Sequence, residues 1–385
     1  MENTYQDKVN RILTTVNHKE PDRVPILSMI GTFAISYANS SIQEIEEHPE
    51  KEIEVYCKPH EAIYSDATFT CGIISDPKSA RLIGSKGHFI SEDGQTIQHS
   101  EITPMEADEY PELIADPFGY TFNKMLPRKA KKLDEAYPES YNAVRDLIEH
   151  MKIKGAVEAQ LEETLKEKYQ LPVLSKNVVY PPMDIIFDYY RGFKGISLDL
   201  RRQPDQLLGG INALEEMANM LMGIAPNAAS VPEFPFYPTM MHLPTFISPK
   251  QFEKFFWPTY ERLFQRLHSL GGKLIMFLEG TWAPKYEFLN SMPENFAVGI
   301  LEEDDVFEAK KKIGDRLTIA GGMPSDMLKY ASEQECIDHA KKVVDACAPG
   351  GGFIFSTNRE LISKGDVNLN NLIAVNRYVH ENAVY

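Results

Sequence analysis

Gly272-Lys-Leu-Ile-Met-Phe-Leu-Glu-Gly-Thr-Trp282 decides how the rest of the chain is read. Leu274 to Leu278 is a wholly apolar run of strand length that ends on a carboxylate, Glu279, and then Gly280. Parallel strands buried on both faces read as continuous apolar runs, not as an alternation. Three more such runs follow at Ala297–Leu301, Leu317–Ala320 and Gly352–Phe355. Each of the four precedes a segment of helical spacing: Pro284–Met292, Asp305–Ile313, Ser332–Cys347 and Asn368–Tyr378. Repeated strand–helix units predict a parallel sheet covered by helices.

Upstream, the same alternation is looser. Tyr5–Val16 has apolar positions at helical spacing and stops before Pro21. Val24–Ile30, Ala67–Ile74 and Val173–Tyr180 read as strands, and Ile196–Leu200 is short and apolar. Pro204–Met222 is helical in pattern, and Pro249–Leu270 is a long aromatic-rich helix closed by Gly271-Gly272. The count favours an α/β fold of the (β/α)8 TIM-barrel type, one domain over residues 1–385, above a doubly wound sheet. Residues 78–170 interrupt it. Asp93-Gly94 between two polar strands predicts a hairpin, and the charged helical pattern after residue 104 predicts an insertion beside the barrel or over its mouth.

Composition removes several function classes. Lysine and arginine number 40 against 56 acids, a net charge of −16, which repels a polyanion and argues against nucleic-acid binding. Cys57, Cys71, Cys336 and Cys347 are scattered with no Cys-x-x-Cys pair, so neither a disulfide scaffold nor a cysteine-rich zinc module is signalled. No apolar run has the length a membrane helix needs, and the first residues lack the pattern of a signal peptide. The expectation is a cytoplasmic protein. No Gly-x-Gly-x-x-Gly or Walker loop follows a strand, so no nucleotide site is expected.

In a barrel, chemistry belongs at the C-terminal strand ends. Those ends read Gly31, His242, Glu279, Glu302 to Asp305, Gly321-Gly322 and Ser356-Thr-Asn358. One imidazole among several carboxylates is a donor set for a divalent cation, with zinc or a harder ion both compatible. Each candidate also has a plainer explanation. His242, between Met-Met and Leu-Pro, fits a core histidine bonded to a carbonyl. Acids at 302–305 open a helix, where they suit the positive end of its dipole. Glu279 is harder to explain away, because a carboxylate closing an apolar strand is costly unless paired or ligating. Phe236, Tyr237 and Trp282 are candidates for a substrate wall, with ordinary core packing as the alternative.

Several segments together resemble the uroporphyrinogen decarboxylase superfamily: His18-Lys-Glu-Pro-Asp-Arg-Val-Pro25, Asp184-x-x-x-Asp-Tyr-x-Arg-Gly192, Phe252-x-x-Phe-Phe-Trp-Pro258, Gly321-Gly-Met-Pro324 and Gly350-Gly-Gly-Phe353. The likeness spans nearly the whole chain and implies a (β/α)8 barrel. True decarboxylases of this kind carry an arginine-rich segment after the first strand. Here that segment reads Ser28-Met-Ile-Gly-Thr-Phe-Ala-Ile-Ser36, without arginine. The other branch, the corrinoid-dependent methyltransferases, often binds zinc through His-x-Cys after the sixth strand and a later cysteine. The corresponding residues here are Phe277-Leu-Glu279 and Ser356-Thr-Asn-Arg359, so the thiolate site is absent. The pattern is similar to the subgroup that includes the methyltransferase components of aromatic O-demethylases.

That resemblance implies a methyltransferase taking methyl from a small methoxylated, preferentially aromatic, donor to the cobalt of a corrinoid held by a separate protein. It implies functional roles for His242 and Glu279, and the strand-end reading adds Glu302 to them as a third ligand of a divalent metal such as zinc. Trp282, Tyr237 and Phe236 would contact substrate. The alternatives are another donor such as methanol or a methylamine, a decarboxylase-like activity, and a non-catalytic barrel serving as a partner-binding subunit.

Overall fold

The structure is a computed structural model in which residues 3–174, 178–221 and 236–385 are described. Nine strands are assigned among them: β1 Leu27–Ser28, β2 Ala67–Thr68, β3 His88–Ile90, β4 Ile97–His99, β5 Phe236–Met240, β6 Lys273–Leu278, β7 Ala297–Leu301, β8 Thr318–Met323 and β9 Phe353–Thr357. Strands β5 to β9 form one parallel sheet in sequential order. Parallel bridges extend it in both directions. Phe355 bridges to Ile26 beside β1, β1 pairs with β2, Thr68 bridges to Val173, and Val179 bridges to Thr239 of β5. This order of neighbours is that of the ring of strands in a TIM-barrel-like α/β fold.

Alternate side chains of each strand serve opposite faces. Leu27, Phe69, Leu174, Phe236, Ile275, Phe277, Val298, Ile300, Ala320 and Ile354 pack together inside the ring. Their neighbours Tyr237, Leu274, Met276, Leu278, Leu301, Ile319, Phe353 and Phe355 pack outward against the helices. This parity matters for function, because it carries past the strand ends: Met240 and then His242, Phe277 and then Glu279, Ile300 and then Glu302 all share the inward register.

The other end of the ring is closed by the helix Tyr5–Val16. Thr4 and Asp7 form a capping box at its start. Val9, Ile12 and Val16 join the interior cluster, and Gly352 N–H donates to Thr15 O where β9 begins. The buried Arg11 pairs with Asp22 and Asp66, and Asp66 in turn accepts from Ile26 N–H at 2.8 Å. The opening Pro-Asp-Arg-Val-Pro stretch is thereby tied to β1 and β2.

The looser first half departs from its sequence reading in detail. Regular pairing covers two residues of Val24–Ile30 and two of Ala67–Ile74. Residues 175–177 of the expected strand Val173–Tyr180 lie outside the described set, as does the end of Pro204–Met222. Ile196–Leu200 is part of the helix Gly192–Arg202, where Ile196 and Asp199 share a buried face. The helix expected over 249–270 contains a π turn at Phe252–Phe256. In the interruption, β3 and β4 pair antiparallel around Asp93-Gly94, and a helix of 31 residues runs from Glu139 to Tyr169.

Candidate active site at the strand ends

His242 follows β5 by two residues and opens the short turn Leu243–Phe246. Its Nδ1 lies 2.9 Å from Asp188 Oδ2 and 3.1 Å from Asp188 Oδ1. Its Nε2 faces Glu279 Oε1 at 3.5 Å. The imidazole thus sits between two carboxylates, one on each nitrogen. Burial works against its protonation. The Asp188 hydrogen bond and the charges of Asp188, Glu279 and Asp184 outweigh that and push its pKa up to about 9. Glu279 is shifted upward by burial, with His242 pulling the other way and Glu302 and Asp188 adding to the rise.

Asp188 is the residue that inspection of strand ends missed. It lies on the π turn Ile186–Arg191 within Asp184-x-x-x-Asp-Tyr-x-Arg-Gly192. An inserted residue in a helical turn re-aims the side chains around it, and such turns recur at functional sites. Asp184, one helical turn earlier, is fully buried. Its Oδ1 accepts from Leu243 N–H at 3.0 Å, and its Oδ2 has no partner. Burial, then the nearby Asp188 charge, raises its pKa well above the ordinary value. The spacing of four between the two aspartates was the available signal, since it places both on one helical face. Arg191 of the same motif is structural: it pairs with Asp199 at 2.7 Å and donates to Met105 O at 2.6 Å.

The loop after β6 is held by the acids after β7. Glu302 Oε2 accepts from Gly280 N–H at 2.8 Å, Asp304 accepts from Trp282 N–H and the Tyr286 hydroxyl, and Asp305 caps the helix Val306–Ile313. Three of the four acids therefore fix backbone, and Glu302 does so from the inward register beside Glu279. Gly280 has φ +63°, and a Cβ there would fall 2.1 Å from Thr245 Oγ1. Glycine is what lets the turn after His242 and the loop after Glu279 approach each other.

The aromatic candidates lie in packed layers. Phe236 is inside the ring at the start of β5, six residues below His242, and Tyr237 faces the helices. Trp282 has no exposed surface. It packs edge-on against Phe252, and its indole N–H donates to Glu279 O at 3.1 Å. Other aromatic side chains neighbour Asp188 and His242 along the chain. Tyr180 and Tyr189 meet edge to face at 5.6 Å, and Lys129 Nζ sits 4.5 Å over the Tyr189 ring. Phe246, just past His242, is exposed and contacts Phe187 and Phe193.

For a metal ion, His242 Nε2 and the Glu279 carboxylate are the facing donors, one nitrogen and one oxygen. A histidine ligand normally has its other nitrogen held by a carboxylate or carbonyl, as Asp188 holds Nδ1 here. Glu302 is engaged through one oxygen with Gly280. Among the described residues no group of three or more His, Cys, Asp or Glu is disposed to hold a metal. Two facing protein donors are one fewer than the three usual at a catalytic zinc.

Comparison with known proteins agrees with this architecture. Residues 240–381, which contain His242, Glu279 and Glu302, match the family model described as uroporphyrinogen decarboxylase (URO-D). No curated protein matches the chain. Among solved structures, a methyltransferase from Methanosarcina mazei superposes over 97% of this chain and 98% of its own, with a TM-score of 0.63 at 14% identity. The family match carries the resemblance over residues 240–381, and the structural likeness shows the barrel-type fold. No helix among the described residues is long and apolar enough to cross a membrane.

Proposed function

We propose that this protein is a methyltransferase that cleaves the methyl–oxygen bond of a small methoxylated compound, preferentially aromatic. The acceptor would be the cobalt of a corrinoid carried by a separate protein. The observation that carries the reading is the Asp188–His242–Glu279 line, with an oriented imidazole nitrogen facing a carboxylate at the inward ends of β5 and β6. The fold shared with a solved methyltransferase supports it.

Cleavage of an aryl methyl ether leaves the bonding pair on oxygen while the methyl carbon accepts a pair from its new partner. The oxygen needs a proton or a cation as that charge develops. His242 and Glu279 would hold a divalent ion such as zinc, which supplies Lewis acidity toward the ether oxygen. Asp188 fixes the ring so that Nε2, not Nδ1, is presented. In the metal-free chain Nε2 keeps a proton at neutral pH, since the imidazole pKa is near 9. Gly280 and the acids at 302–304 hold Glu279 in position opposite it.

The test is incubation of the purified chain with cob(I)alamin and methoxybenzenes, methanol or methylamines, monitored by the methylcobalamin absorbance. Methoxybenzenes are expected to give product, and His242→Ala and Glu279→Gln to abolish it. Product from methanol or a methylamine alone would replace the ether donor. No product from any donor would defeat the reading.

A further inference from the structure

The helix Glu139–Tyr169 buries few of its side chains, namely Ala143, Leu161 and Leu165. Its C-terminal end is anchored at the closed end of the ring, where the Gln170 side chain accepts from Tyr5 N–H. Midway, Lys154 donates to Ile73 O and His150 meets Asp76 at 2.5 Å, beyond the end of β2. Around and before His150 the helix buries Ala143 and leaves Tyr141, Val144, Ile148 and Met151 58%, 43%, 48% and 59% exposed. Their spacing is three, four, three, the seam of a two-helix coil. A helix face that serves only solvent does not carry this pattern.

We propose that this stripe is the contact with a second copy of the chain, through antiparallel pairing of the two helices about a twofold axis near Asp146. The spacing is symmetric about that point: Tyr141 would meet Met151 of the second copy, and Val144 its Ile148. An isologous interface requires this self-complementarity. The charges agree. Arg145 and Glu149 flank the stripe on one side, and in the antiparallel arrangement each lies within a turn of its opposite on the other copy. With Tyr137, itself exposed and in ring contact with Tyr141, the stripe offers roughly 600 Å² per chain, near the ~800 Å² per partner of a standard interface. The proposal does not depend on the reaction catalysed.

Sedimentation or light scattering on the full chain at about 1–50 μM decides it. The chain is expected at twice its own mass, and Ile148→Glu with Met151→Glu at the monomer mass with an unchanged melting temperature. Should those changes disturb folding, Val144→Cys with Ile148→Cys provides an independent reading: oxidation should cross-link two chains rapidly, whereas Val144→Cys with Glu163→Cys should not. A wild-type chain that stays monomeric, or a charge variant that stays dimeric, overturns the proposal. So would a monomer whose Ile148→Glu variant fails with a protein-bound acceptor yet works with free cob(I)alamin, which would assign the stripe to the acceptor protein.

Discussion

Two glutamates stand on different sides of the same ring and meet opposite surroundings. Glu279 ends β6 facing the His242 imidazole, with Asp188 behind it. Glu360 follows β9, where Leu361 continues the pairing to Met29 and Gly31, and its carboxylate lies against Gly31 so closely that a Cβ there would overlap it. Burial raises both pKa values. Beside Glu279 a cation opposes the rise, while at Glu360 burial is the sole cause and the pKa reaches about 7. A half-buried carboxylate beside an oriented imidazole is equipped for ligation or proton traffic. One without a counter-charge is a stability cost that varies with pH.

The largest expected effect attacks the first side. Removing the ring with His242→Ala leaves Asp188 and Glu279 near each other without the imidazole between them, and methyl transfer should fall at least ~1,000-fold. Activity unchanged within threefold would erase the contrast. Asp188→Asn keeps the shape but loses the charge that orients Nδ1. A drop of roughly 10–100-fold in turnover and in metal affinity is expected, at nearly unchanged melting temperature. An Asp188→Glu variant that recovers part of it would mark a positioning role.

Gly280→Ala tests how the two loops are brought together. The positive φ and the Thr245 contact should cost about 1–3 kcal/mol in a denaturation midpoint and reduce activity with it. Loss of activity at full stability would show that the loop moves without strain. The last effect, on stability alone, belongs to the second side. The folded-state pKa of Glu360, near 7, lies above the ordinary 4.5. Between those values the folded chain holds a proton that the unfolded chain releases, so stability should fall as pH rises from about 4.5 to 7 and level off above. Glu360→Gln should remove this slope and be more stable than wild type at pH 8 by about 1–3 kcal/mol, with little difference near pH 4.5. Parallel urea curves for the two proteins across that range check it.

The same division governs how much the sequence discloses. Strands β6 to β9 are legible because each opens on an apolar run between helical segments, and the assigned ends agree within three residues. The first half pairs through two-residue strands and isolated bridges, which leave little periodic signal to read. His242 and Glu279 were found from their place after apolar runs, and the inward register carries both to the same opening. Asp188 was not singled out because its partner is 54 residues away on another element, although its spacing of four from Asp184 was legible. The acids at 302–305 were visible as a group, but their work as a clamp on residues 280–286 depends on contacts between neighbouring loops, which no local pattern encodes.

The central claim is that His242 and Glu279 act as one centre, and equilibrium zinc binding to the purified apo-protein tests it most directly. The account predicts roughly one ion per wild-type chain, lost in both His242→Ala and Glu279→Gln while Glu360→Gln binds as wild type. A wild-type chain that binds no divalent ion, or two site variants that bind as well as it does, would contradict it.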